Sequence, residues 1–178
     1  LPAARLAPAP SVLACSCAPH GDTPAEQAAY IRDSDWIDFY AIAQLVNASS
    51  YSKFDETSDD TYEPYEFTFQ NTTFIIEDVV YIPSGDITSV NDLLPDGTKE
   101  YQTTTETTCC LCGRSFSEKS IGESFLLPVS RYGGFTICDI VCNTEDEFCN
   151  DIIGELRNGK SMNRAGGWLR EIASGVWS

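Results

Sequence analysis

Hydrophobic positions at period two fill the middle of this chain, and positions at helical spacing mark its two ends. Ile37, Phe39, Ala41, Ala43 and Leu45 recur at every second residue, with Asp38 and Gln44 between them. Such alternation puts one set of side chains on one face of a strand, so residues 36–46 predict a strand. Residues 65–82 are rich in aromatic and β-branched side chains (Phe67, Phe69, Phe74-Ile75-Ile76, Val79-Val80-Tyr81). They predict one long bent strand or two, closed by the turn residues Pro83-Ser84-Gly85-Asp86. The Thr-rich stretch 98–110 predicts another strand, and 123–129 with 134–141 a hairpin around Ser130-Arg131-Tyr132-Gly133.

Helix signals flank this region. Thr23-Pro24-Ala25-Glu26 has the residues of a capping box with proline at the first helical position. It opens a helix that runs to Tyr30 or Ile31, stops near Asp33-Ser34 and buries Ala28 and Ile31. Thr144-Glu145-Asp146-Glu147 reads as a second capping box. After it, Cys149, Ile152, Ile153 and Leu156 follow at i, i+3, i+4 and i+7, and Asn158-Gly159 is the stop. Residues 47–64 carry Asp55, Glu56, Asp59, Asp60 and Glu63 and read as a loop or hairpin tip. Their spacing matches no EF-hand, so the acids read as a solvated face. Residues 86–97 read as a loop ending in Pro95-Asp96-Gly97. In the tail, Trp168, Leu169 and Ile172 suggest a short helix at 168–173, weakened by Gly166, Gly167 and Gly175. Helix, five or six strands, helix is the element order of a small Greek-key barrel with helices packed beside it.

Composition adds the compartment. The chain has 178 residues, 42% of them hydrophobic, enough for one domain with a proper core. A net charge of −16 excludes nucleic acid and anionic membrane as electrostatic partners. Eight cysteines, with the sequons Asn47-Ala48-Ser49 and Asn71-Thr72-Thr73 as candidate glycosylation sites, point to a secreted, disulfide-bonded protein. No apolar run approaches the ~20 residues of a membrane span. Val12 and Ala14 ahead of Cys15 resemble a signal-peptidase site, although Pro2, Arg5, Pro8 and Pro10 interrupt the apolar run such a signal needs. Beginning at Leu1 and not Met, the chain reads as one already relieved of a signal peptide, with residues 1–14 as an extended Pro/Ala arm.

Catalytic chemistry is not signalled. His20, the only histidine, sits in the turn Pro19-His20-Gly21-Asp22 with no nucleophile beside it in sequence. Cys109, Cys110 and Cys112 could contribute to a zinc site, but the even cysteine count in a secreted chain favours disulfides. Asp59-Asp60 belongs to the acidic loop. The chain is therefore expected to bind and not to catalyse, with no cofactor and no metal.

Several landmarks occur in one order: Cys15-Ser16-Cys17, the helix from Thr23 running into Ser34-Asp35-Trp36-Ile37, Cys112-Gly113, Gly122-Glu123-Ser124-Phe125-Leu126, Phe135-Thr136-Ile137-Cys138, and a C-terminal amphipathic helix. Together these resemble the netrin-like module of the tissue inhibitors of metalloproteinases over roughly residues 15–158. The resemblance implies a mainly β, disulfide-stapled, five- to six-stranded OB-like Greek-key barrel. The domain would span 15–160, after the arm 1–14 and before a packed tail 161–178. It also implies the bonds Cys15–Cys112 and Cys17–Cys138, one pairing among the 105 that eight cysteines allow. The family's bond from the first helix has no equivalent here, and in place of its separate C-terminal domain the short Trp-bearing tail is expected. Cys109, Cys110, Cys142 and Cys149 are additional, and are expected to pair between the 109–110 strand and the 142–149 segment.

Two functions follow from the resemblance. One is an extracellular interaction or assembly module that uses residues 1–14 to dock on a protein partner, including copies of itself. The other is a metalloproteinase inhibitor in which Cys15, Ser16 and Cys17 form the reactive ridge. In that family the N-terminal cysteine's amine and carbonyl chelate the protease zinc, which requires Cys15 to be the first residue.

Overall fold

The computed structural model describes residues 20–34, 36–54, 66–83, 85, 88–94, 99–108 and 113–158. In chain order these form α1 (Pro24–Asp33), β1 (Phe39–Phe54), β2 (Glu66–Tyr81), α2 (Thr88–Leu93), β3 (Glu100–Glu106), a 3₁₀ turn at Glu118–Ser120, β4 (Ser124–Val129), β5 (Cys142–Asn143) and α3 (Glu147–Asn158). The five strands make one antiparallel sheet in the order β3-β2-β1-β4-β5. Placing the fourth strand beside the first, with the second and third on the other side, is Greek-key topology.

The sheet is not closed into a barrel by a ladder. Among the described residues β3 and β5 are its edges. It nevertheless curls, and the chain after β4 crosses to β3 through side chains. Tyr101 Oη donates to Ser130 O at 3.2 Å, Thr105 Oγ1 accepts from Phe135 N at 3.0 Å, and Thr103 Oγ1 accepts from Gly134 N. Gly113 and Thr136 form an isolated bridge beside this seam. Threonines on the inward side of β3 (Thr103 and Thr105, both buried) thereby satisfy backbone donors that a neighbouring strand would otherwise take up.

Two cores result. Inside the curl lie Phe39, Ala41, Ala43, Leu45, Phe74, Tyr101, Leu127, Val129, Phe116 and Phe135. Phe74, Phe116 and Phe135 meet edge to face with centroids 5.2–5.7 Å apart, a geometry favoured by the ring quadrupole. Outside it, α1 and α3 pack together on the convex face through Ala28, Ile31, Tyr40, Val80, Leu126, Cys149, Ile152, Ile153 and Leu156. The Arg32 guanidinium ties the two helices by donating to Glu155 O at 2.5 Å. β1 serves both cores: Phe39, Ala41, Ala43 and Leu45 face in, whereas Tyr40 faces the helices.

Thr23 and Glu26 form the reciprocal capping box expected of them, and α1 buries Ala28 and Ile31. The four apolar positions expected to face the core from α3, Cys149, Ile152, Ile153 and Leu156, are its four buried residues. Other expectations need correction. Residues 47–54, read as loop or hairpin tip, continue β1, because Asn47 through Phe54 find ladder partners from Thr73 to Glu66. Residues 65–82 do not need correcting: of the two readings, one long bent strand is the one found, Glu66–Tyr81, bent by register shifts at Tyr40/Ala41, Ile42/Ala43 and Leu45/Asn47. Residues 88–93, read as loop, form α2. Residues 134–141 are not the second arm of a hairpin. Gly133 and Gly134 adopt φ of +65° and +77°, and Asp139 N donates to Thr136 O in a turn, so the partner of β4 is the two-residue β5. α3 starts at Glu147 and not after Thr144, because Thr144 N and Oγ1 both donate to Ser124 O and extend the β4–β5 pairing. The arm 1–14, the acidic segment 55–65 and the tail 161–178 lie outside the described residues.

Candidate protein-binding ridge and its anchor

Of the expected ridge, Cys15, Ser16 and Cys17 lie outside the described residues, as do Cys109, Cys110 and Cys112. The structure does place His20, three residues after the ridge, and Cys138, the expected partner of Cys17. His20 stacks edge-on against Tyr30 of α1 with ring centroids 4.3 Å apart. Its charge is the smallest of the influences that lower the Asp139 carboxyl, in the loop that carries Cys138.

That loop is locked. Asp139 Oδ2 accepts from Thr136 N at 2.5 Å, Asp139 N donates to Thr136 O at 3.1 Å, and Cys138 N donates to Thr136 Oγ1 at 3.2 Å. Arg114 reaches over it, donating to the carbonyls of Thr136, Ile137, Asp139 and Val141 at 3.1–3.4 Å. A guanidinium carries five donors in a rigid plane, so one side chain can hold four carbonyls of a turn. Burial pushes the Asp139 carboxyl above the usual carboxylate range, against the hydrogen bonds from Thr136 and the charges of Arg114 and His20. Burial, with the charge of Asp139, also raises the Tyr40 phenol. Burial lowers the Arg114 guanidinium, partly offset by Asp139 and Tyr40. Asp139 Oδ1 and His20 Nδ1 are buried without a hydrogen-bond partner.

The disulfides are partly visible. Cys142 bonds Cys149, with Cα atoms 5.7 Å apart and a sequence separation of seven. This corrects the expected cross-pairing of that segment with Cys109 and Cys110. Both cysteines lie where the chain leaves β5 and enters α3, so a short local loop brings them together before any long-range pairing is needed. Cys138 is also disulfide-bonded, to a partner outside the described residues.

Both sequons fall on the outer face of β1 and β2. Asn47 pairs with Thr73 and Ser49 with Asn71, so each asparagine stands opposite the other sequon's hydroxyl residue. Both asparagines are exposed. Arg114 and Asp139 drew no attention in the sequence. Their only signal was adjacency to Cys112-Gly113 and to Cys138, which gives no hint of a four-carbonyl clamp formed across 25 residues.

Among the described residues no three His, Cys, Asp or Glu side chains gather as a metal site, and no helix is long and apolar enough to cross a membrane. No protein-family model matches this sequence, and no curated protein is detectably similar to it.

Proposed function

We propose that this chain is a secreted, non-enzymatic netrin-like module that acts by binding protein, with the Cys15-Ser16-Cys17 segment and the arm before it as the contact region. The observation that carries the reading is the locked turn at residues 136–139. A half-buried, disulfide-bonded Cys138 is held there by Arg114 and Asp139, and its bonded partner lies outside the described residues, where the ridge cysteines also are. A rigid anchor is what a presented binding ridge requires, because preorganisation reduces the entropy lost on docking. The strand order supports an OB-like barrel opened at one seam: β3 and the chain after β4 meet through threonine side chains where a closed barrel would have a ladder.

In the preferred form the module is an extracellular interaction or assembly protein that docks through residues 1–14. The second reading, a metalloproteinase inhibitor, is favoured by Val12 and Ala14 before Cys15, since cleavage there would free the Cys15 amine for a protease zinc. One comparison decides between them: the full chain and a chain starting at Cys15, each assayed for self-association by sedimentation and for inhibition of a zinc protease. Loss of association on removing 1–14, without inhibition, supports assembly. Inhibition by the shorter chain that disappears on acetylating its amine supports the inhibitor. A full chain that neither associates nor binds protein, with an inert shorter chain, refutes both.

A further inference from the structure

The outer face of the three-stranded ladder is ordered in rows. Gln102, Thr73 and Asn47 form one, Thr104, Asn71 and Ser49 the next, then Glu106, Phe69 and Tyr51, and last Phe67 and Lys53. Because side chains two apart share a face of a strand, Phe69, Asn71 and Thr73 stand in line on the outside of β2. Tyr51 stacks beside Phe69, centroids 5.5 Å apart and ring planes 20° apart, and both rings are only partly buried. Lys53 Nζ lies 5.6 Å from each centroid. Along the strands the ring pair therefore has the Lys53–Phe67 row on one side and the Asn71–Ser49 row on the other. Thr104 Oγ1 donates to Asn71 Oδ1 at 2.7 Å, which fixes the carboxamide by its oxygen and leaves the nitrogen as the group for a glycosidic bond.

We propose that Asn71 carries an N-linked glycan whose first N-acetylglucosamine packs on the Phe69–Tyr51 ring pair, so that the sugar is a structural part of the sheet. The inference rests on the secreted reading. The modification itself is ordinary group transfer from a lipid diphosphate oligosaccharide: the Asn71 Nδ2–C1 bond forms, the C1–O bond to the diphosphate breaks, and one proton leaves the amide. It precedes folding, since the finished ladder encloses the sequon on both sides. The apolar face of a pyranose then covers ring surface that β2 otherwise leaves in water.

Asn47 is the internal comparison. Two residues before it stands Leu45, which a register shift between Leu45 and Asn47 directs into the core, and Ser49 and Thr73 are its neighbours on the outer face. None of these neighbours is a ring, so a glycan at Asn47 lacks the platform that Phe69 and Tyr51 give Asn71.

The test uses the full chain secreted from a eukaryotic host that makes high-mannose glycans, with site occupancy read by peptide mass mapping. Asn71 is expected to be occupied. Trimming to a single N-acetylglucosamine should leave the Tm unchanged, whereas removing that last sugar should lower it by about 2–4 °C. Phe69→Thr and, separately, Tyr51→Thr should each cut the difference between trimmed and stripped protein to below about 1 °C. Asn47→Gln should move it no further. Independently of stability, the N-acetyl methyl resonance of the trimmed protein should lie upfield and return to its random-coil position in Phe69→Thr. An occupied Asn71 whose stabilisation and methyl shift survive Phe69→Thr overturns the platform alone. Occupancy of Asn47 without Asn71 also overturns it and leaves the secreted reading standing. If neither is occupied, both fall.

Discussion

Gly113→Ala probes the seam of the curled sheet most directly. A Cβ built on Gly113 lies 1.6 Å from Glu106 O, 2.7 Å from Glu106 C and 3.1 Å from Thr105 Cγ2. Carbon–oxygen contacts settle near 3.3 Å, so the two backbones must separate by roughly 1.7 Å. The nearest atoms are main chain at the end of a hydrogen-bonded strand, so no side-chain rotation relieves the clash. Separation would break the bridge to Thr136 and the bond from Arg114 N to Phe135 O at 2.8 Å, at about 1 kcal/mol for each hydrogen bond. It would also loosen Phe116 against Phe135, so the total is about 3–5 kcal/mol. With a urea m-value of ~2 kcal/mol/M, the midpoint should fall by about 1.5–2.5 M. Gly154, in the middle of α3, has nothing within 4 Å of its Cβ position. Gly154→Ala should therefore raise the midpoint, by about 0.3–0.5 M, because alanine lowers the entropy lost in a helix. A Gly113→Ala protein with a midpoint within about 0.3 M of wild type would refute the seam.

Three further outcomes follow from the packing. Gln70 is buried and clasps the Phe116 main chain, Nε2 donating to its oxygen at 2.9 Å and Oε1 accepting from its nitrogen at 2.7 Å; Gln70→Ala should cost about 2–4 kcal/mol by urea unfolding. Replacing Cys142 and Cys149 together by alanine opens a loop with a sequence separation of seven, and should cost about 2.5 kcal/mol on the chain-entropy model, read as a lower Tm. Asp139, its carboxyl raised above the usual range chiefly by burial, binds its proton more tightly folded than unfolded. Its stabilising contribution is complete below the unfolded value near ~4 and is lost as pH rises through the folded value. Asp139→Asn keeps an acceptor for Thr136 N, so its Tm should match or exceed wild type at pH 7 and vary less with pH above ~4. A clear loss of stability at pH 7 would mean that the charge itself is needed by Arg114.

Local chemistry was legible in this sequence, and cross-chain bookkeeping was not. The Thr23–Glu26 box, the inward alternation from Phe39 to Leu45 and the stripe from Cys149 to Leu156 each depend on neighbours a few residues away, and each is where the pattern puts it; Ile37, read onto the same face, precedes β1 and joins the helix-side core instead. Residues 47–54 failed because Asn47, Ser49, Ser50 and Ser52 have poor strand propensity, which the partner strand overrides once ladder bonds are available. Residues 134–141 failed for the opposite reason: their β-branched residues suit a strand, but two positive-φ glycines and the Asp139 carboxylate impose a turn. Thr144 shows a motif captured by a stronger claim, since Ser124 O takes the Thr144 N–H that the reciprocal bond of a capping box would use. At the candidate site the sequence pointed to the ridge cysteines and to Cys138, whereas Arg114 and Asp139 acquire meaning only when residues 25 apart meet.

The same topology sets the order in which the molecule can assemble. β1 and β2 are sequential and can pair as soon as both have been synthesised. By contrast, β1 cannot meet β4 until the chain has grown from Phe39 to Val129, and the helical layer waits longer, since Arg32 and Glu155 are 123 residues apart. Long-range pairing of this kind slows folding and prolongs exposure of unfinished surfaces. During synthesis the chain passes through an interval in which the β1–β2 hairpin exists and the buried side of α1 still lacks α3. Truncation before α3 would make that interval permanent, leaving Ala28, Ile31 and Tyr40 in water as an aggregation surface.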